Sequence, residues 1–175
     1  AYLVLLRLSL FPILLLSIMS PLIFSLVLGK QWADAGIYAM LLGPWVMIMF
    51  IQSPLSNVFS ILGIQKHALV IEIFYSVSRI SAFLLGTLWK DPRVAIFFLS
   101  AAGFMVTVFR LWFVLISSGN KTSYILKISL PVIIESLVLL FVPFLIYLIG
   151  FKQPFFLILA SVFACFIYIY RNIKP

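Results

Sequence analysis

Residues 94–117 read VAIFFLSAAGFMVTVFRLWFVLIS, an uninterrupted apolar run whose one ionisable side chain is Arg110. About 20 apolar residues make a helix that crosses the hydrocarbon core of a bilayer. The run shows no period-2 alternation of the kind a barrel strand needs. Inside lipid every backbone amide must be bonded within its own segment, so a continuous apolar run of this length means a helix. Five further blocks repeat the pattern. With this one, the six run Val4–Leu28, Ala35–Leu62, Ala68–Leu88, Val94–Ser117, Tyr124–Ile149 and Pro154–Tyr170. Hydrophobic residues make up 65% of the chain and charged residues 9%, against about 25% charged in a soluble domain. The expected fold class is all-α: a polytopic transmembrane helix bundle of six spans, a single domain over residues 1–175. Connections such as Gly29–Asp34, Gly63–His67 and Trp89–Arg93 are very short, so consecutive helices are antiparallel neighbours.

The chain opens with Ala1, and the apolar pattern is under way by Leu3. A signal peptide has a basic start, a short apolar run and a small-residue cleavage site. Here the run continues past Arg7 through Pro12 and Pro21 to Lys30, which reads as the first true span of a fragment. Cys165 and His67 are each alone, so neither a disulfide framework nor a metal site is expected. No cofactor is expected. The net charge of +8 sits mostly at span ends, where basic residues anchor to headgroups and set topology. No basic face lies outside the spans, which argues against nucleic-acid binding. One side of the bundle would hold Arg7, Lys66, Lys121, Lys127, Arg171 and Lys174, the other Lys30, Lys90, Arg93 and Lys152. This bias predicts both termini on the cytoplasmic side.

Four charged residues lie a full helical turn or more inside spans: Glu72 and Arg79 in the third, Arg110 in the fourth, Glu135 in the fifth. A charge at the centre of a span costs about 2.5–3.5 kcal/mol on insertion scales, so such groups pair or face a hydrated cavity. From the helical rise, Glu72 and Arg110 lie about 8–10 Å inside the same end of their helices, and Arg79 and Glu135 roughly 16–18 Å in. Depth therefore pairs Glu72 with Arg110 and Arg79 with Glu135. Glu72, Tyr75, Ser76 and Arg79 share one helix face. Two readings follow: structural pairs that hold the bundle together, or a cationic, partly hydrated cavity for an anionic group. In the second span Gln52, Ser53, Ser56, Asn57 and Ser60 recur at helical spacing, and Trp45 and Met49 extend that face. Pro44 and Pro54 interrupt the backbone ladder of the same span. This face reads either as part of a transport path or as small polar residues in helix–helix packing. The candidate path residues are Trp45, Gln52, Ser53, Ser56, Asn57, Glu72, Arg79, Arg110 and Glu135.

The first connection reads Gly29-Lys30-Gln31-Trp32-Ala33-Asp34-Ala35-Gly36-Ile37-Tyr38, with Leu41, Leu42 and Pro44 beyond it. It resembles the Phe-Gly-x-x-Trp-x-x-Ala-Gly-x-Tyr pattern of bacterial polysaccharide biosynthesis transporters, the O-antigen and lipid-linked oligosaccharide flippases. Gln52-Ser53-Pro54-Leu55-Ser56, then Phe59 and Leu62-Gly63-Ile64-Gln65-Lys66, is similar to that family's next span and cytoplasmic turn. Leu28 departs from the family's Phe, and the likeness is concentrated in residues 21–66. The resemblance implies the superfamily that also holds multidrug and toxic compound extrusion proteins, with two lobes of six helices around a central cavity. This chain would be the carboxyl-terminal portion, partnered by a preceding lobe of the same polypeptide, in the bacterial inner membrane. It would flip an undecaprenyl-diphosphate-linked oligosaccharide from the cytoplasmic to the periplasmic leaflet by alternating access. The family's ion-binding acidic residues are not matched.

The residues suit such a cargo. Arginine pairs with a diphosphate, amide, hydroxyl and aromatic groups suit sugars, and apolar helix surfaces suit an isoprenoid tail. The competing readings are an exporter of drugs or cations from the same superfamily, an integral-membrane enzyme of a polysaccharide pathway, and a purely structural membrane subunit. Drug exporters favour acidic and aromatic linings. An enzyme would need an exposed acid, base or nucleophile, and His67 is the sole histidine.

Overall fold

A computed structural model describes residues 2–148 and Tyr168. Among them there is no strand. The helices are α1 (Tyr2–Val27), α2 (Ala33–Gln52), α3 (Val58–Ile61), α4 (Gln65–Thr87), α5 (Pro92–Ser117) and α6 (Thr122–Leu148). Short 3-10 turns at Lys30–Trp32 and Ser53–Leu55 lead into α2 and out of it. Five helical stretches are long and apolar enough to cross a membrane: α1, Lys30–Ile61, α4, α5 and Thr122–Phe141 of α6. The expected sixth span, Pro154–Tyr170, falls outside the described residues except for Tyr168.

The second span is interrupted at Pro54, as the sequence predicts. Residues 35–62 are not one continuous α-helix. The α-helix stops at Gln52, Pro54 sits inside the 3-10 turn, and a four-residue helix, α3, completes the stretch. Proline carries no amide hydrogen to continue the ladder, so the chain tightens into i→i+3 bonding there. Ser56 N–H donates to the Ser53 carbonyl at 3.3 Å, and Ser56 Oγ donates to the same oxygen at 2.7 Å.

Gly63 and Gly119 close α3 and α5. Each adopts a left-handed φ, 69° and 87°, and the next residue's amide donates back five positions, Ile64 to Phe59 at 3.0 Å and Asn120 to Leu115 at 3.3 Å. These are Schellman turns, and glycine adopts that φ without a Cβ penalty. At the α4–α5 connection Lys90 takes the left-handed conformation (φ 56°). Asp91 then caps α5 by accepting the Arg93 amide at 2.8 Å, with Pro92 at the first helical position, where its missing donor costs nothing.

The chain divides into two compact units. One holds Ala1–Gly43 and the chain from Lys127 onward; the other is Pro44–Leu126. The boundaries fall at Gly43–Pro44, inside α2, and at Leu126–Lys127, inside α6.

In the first unit α1 and α2 cross at very short range. A Cβ on Gly36 would collide with the backbone of Pro21, and one on Gly43 with the Ser17 side chain. Small residues permit this approach, and serines exploit it. Pro21 leaves the Ser17 carbonyl without its amide partner, and Ser20 Oγ lies 2.7 Å from that oxygen. The same hydroxyl is 2.7 Å from the Gly36 carbonyl, so its one proton is shared or alternates between two acceptors. Pro44 likewise deprives the Met40 carbonyl, and Ser17 Oγ donates to it at 2.8 Å. Two proline breaks are thus re-satisfied by hydroxyls of α1, as a span without water requires. Phe11, Leu15 and Met19 of α1 pack with Leu140 and Tyr168 into the core of this unit.

In the second unit α4 and α5 form an antiparallel hairpin. Gly86 lets α5 approach so closely that a Cβ there would sit 2.5 Å from the Ala95 Cα. Phe59, Ile71, Val106 and Val114 form the core. The rest of α4 is bare: Leu69, Ile73, Phe74, Val77, Ile80 and Leu84 are each more than half exposed. In water such a surface would drive aggregation; in hydrocarbon it is solvated.

Candidate functional site: two arginines along one face of α4

The stripe Glu72–Tyr75–Ser76–Arg79 of α4 carries the polar chemistry of the second unit. At one level Arg110 Nη1 of α5 donates to Glu72 Oε2 at 2.6 Å. Depth in the membrane predicts this pair, and it is present. The side chains are 22% and 49% exposed respectively, so the pair is open on the carboxylate side. Phe59 of α3 lies below the arginine, its ring centre 5.5 Å from the guanidinium carbon.

About two helical turns further along α4, Arg79 packs against two rings. Its guanidinium carbon is 4.4 Å from the Trp45 ring centre and 5.1 Å from that of Tyr75. Trp45 is 8% exposed. Gly103 of α5 makes room for it: a Cβ there would lie 2.7 Å from the indole. Thr107 Oγ1 donates to the Gly103 carbonyl at 2.7 Å, which satisfies its own buried hydroxyl one turn away. Arg79 also borders an open groove of about 370 Å³, lined by Ser76, Ile80, Phe83 and Leu84 of α4 and Leu99 of α5.

Three buried donors on these side chains, Trp45 Nε1, Arg79 Nε and Arg110 Nε, have no acceptor among the described residues. A cation held by ring faces keeps its in-plane N–H groups free for another acceptor. The second level is therefore a positive, aromatic-backed wall beside a groove, suited to a group with anionic or hydroxyl oxygens.

The structure treats the other candidates differently. Gln52 is buried at the end of α2, while Ser53 and Asn57 are exposed and Ser56 is half-buried. The change from α to 3-10 winding at Ser53 means these residues do not continue one α-helical face. Neither Gln52 nor Asn57 makes a hydrogen bond to Arg79 or Arg110. Glu135 is a half-buried residue of α6, in the first unit; its expected pairing with Arg79 joins the two units and stays an expectation. Among the described residues no group of His, Cys, Asp and Glu could hold a metal ion. Sequence reasoning missed the roles of Phe59 and Gly103. The run of small residues Ser100-Ala101-Ala102-Gly103 within a bulky apolar span was the available signal for Gly103; Phe59 stands out only as part of the family-like stretch, which says nothing of a contact with Arg110.

Comparison with protein families, with curated proteins and with solved structures finds no match. The class of protein rests on the helices themselves. The chain is all-helical over its described residues, with five helices of the length and apolarity that a multi-pass membrane protein requires.

Proposed function

We propose that this chain is the carboxyl-terminal part of a bacterial inner-membrane transporter that moves a lipid-linked oligosaccharide between leaflets by alternating access. The cargo is an undecaprenyl-diphosphate-linked repeat unit, taken from the cytoplasmic to the periplasmic side, and both ends of the chain face the cytoplasm. The resemblance over residues 21–66 supplies the family. The observation that carries the reading is Arg79: a guanidinium deep in a span, backed by Trp45 and Tyr75, beside a groove that also presents Ser76. Planar, permanently charged arginine suits a diphosphate, and aromatic and hydroxyl neighbours suit sugar rings. A cavity built for cationic drugs would present carboxylates there instead. Flipping needs no bond to form or break, so no acid–base or nucleophilic group is called for.

The test is surface glycan display in cells whose whole transporter carries Arg79→Ala or Arg110→Ala. Both variants are expected to reach the membrane and to lose display. Normal glycan on the surface of both would refute the role assigned to these side chains.

A further inference from the structure

At the Gln65 end of α4 lies a second groove, of about 460 Å³, lined by Lys66, His67, Val70 and Ile71 of α4 and Phe109 and Phe113 of α5. Its two ends differ in chemistry. Lys66 and His67 occupy the first turn of α4, and both are exposed. Below them the walls are wholly apolar. His67 is stacked on Phe113 with ring centres 5.8 Å apart, and Phe113 is stacked on Phe59 at 6.1 Å, so the aromatic floor is fixed from two sides. Val70 is 66% exposed and Phe109 47%, which leaves the groove open along its length to whatever surrounds the helices.

Charge at the mouth has one sign. The nearby carboxylate, Glu72, is already engaged by Arg110, and Lys66 makes no ion pair among the described residues. The helix starts there without a side-chain cap on Ile64, so its positive end adds to the lysine. A cationic mouth at headgroup level above an apolar trough one to two helical turns long has the shape of an anionic amphiphile.

We infer that this groove is a binding site for an anionic glycerophospholipid, whose phosphate sits at Lys66 and the first turn of α4 and whose acyl chain lies against Val70, Phe109 and Phe113. The site stands apart from the transport reading. It requires only that the helices lie in a bilayer, and none of its lining residues belongs to the Arg79 wall. Interfacial lysines are worth about 1 kcal/mol each toward anionic lipid, roughly fivefold in binding.

The experiment uses the whole protein that carries this chain, purified in detergent and loaded with phosphatidylglycerol or with phosphatidylcholine of the same acyl chains, and reads retained lipid by native mass spectrometry. The unaltered chain is expected to retain phosphatidylglycerol about fivefold better. Lys66→Gln should erase that preference and leave phosphatidylcholine unchanged. Val70→Trp, which fills the trough at an exposed position, should lower retention of both. Lys90→Gln, at the opposite end of the hairpin, should preserve the preference. Equal retention of the two lipids by the unaltered chain would overturn the proposal. So would a preference that survives Lys66→Gln, or one lost equally with Lys90→Gln, which would mark nonspecific surface charge. Loss of the preference on adding inorganic phosphate alone would assign the mouth to a free anion and overturn the lipid site.

Discussion

Arg79 and Trp45 meet across two helices with the guanidinium carbon 4.4 Å from the indole ring centre. The contact gives a charge inside a membrane span a partner that does not neutralise it. A carboxylate would cancel the field of Arg79, whereas an aromatic face stabilises the cation and leaves its donors and its charge available. Trp45 in turn depends on Gly103, because only a residue without a Cβ lets the indole lie against α5. One glycine on α5 therefore sets the position of a cation on α4.

The coupling between Arg79 and Trp45 is measurable by a double-mutant cycle of Arg79→Gln and Trp45→Leu, followed by unfolding in mixed micelles. A desolvated cation–π contact predicts an interaction energy of about 1–2 kcal/mol. Strict additivity of the two substitutions would show that the rings do not hold the cation. Arg79→Lys should recover only part of the coupling, since an ammonium lacks the flat surface that stacks.

Glu72 and Arg110 should behave as a pair. Arg110→Met strands a carboxylate within a span, at a cost of up to about 2.5–3.5 kcal/mol; the openness of Glu72 makes that a ceiling. Combining it with Glu72→Gln removes both charges, and the double variant should unfold at a higher temperature in detergent than the single one. The exchange Glu72→Arg with Arg110→Glu should restore part of the loss. A double variant no better than Arg110→Met would contradict the pairing.

The α1–α2 crossing makes opposite predictions for its two glycines. Gly43→Ala brings its new methyl onto the Ser17 side chain, so Ser17→Gly in the same chain should rescue much of the damage, less the hydrogen bond to Met40. Gly36→Ala meets the backbone of Pro21, which no side-chain change can move, and should resist rescue by any substitution at Ser20. Thermal stability of the four variants in detergent checks both. Rescue of Gly36→Ala by Ser20→Gly would show that the helices are not held so closely.

Topology is tested with a thiol reagent that cannot cross the membrane, applied to intact cells in a Cys165→Ala background. Lys90→Cys should be labelled and Lys121→Cys should not. The reverse pattern would invert the membrane orientation drawn from the distribution of basic residues.

Part of this is legible in the sequence. Both Pro44 and Pro54 are expected to interrupt the ladder of the second span; α2 continues through Pro44 and ends just before Pro54. Glu72 and Arg110 were matched by depth alone, because rise per residue is constant and adjacent antiparallel helices align their levels. The same reasoning had no means of finding the Arg79–Trp45 contact. Depth places residues along a helix axis but says nothing about rotation around it, and a tryptophan carries no charge to be balanced. The serines of α1 were equally silent, since a hydroxyl that repairs a neighbouring helix looks in sequence like one that bonds its own.

What the order of residues settled alone was the helices: a long apolar stretch in lipid has no other way to bond its amides, and that constraint is local. Tertiary structure decided which polar groups meet. Whether an arginine finds a carboxylate, as Arg110 does, or a pair of rings, as Arg79 does, depends on how closely helices approach and which faces they turn together. Gly86 and Gly103 govern that approach through the absence of a single carbon atom.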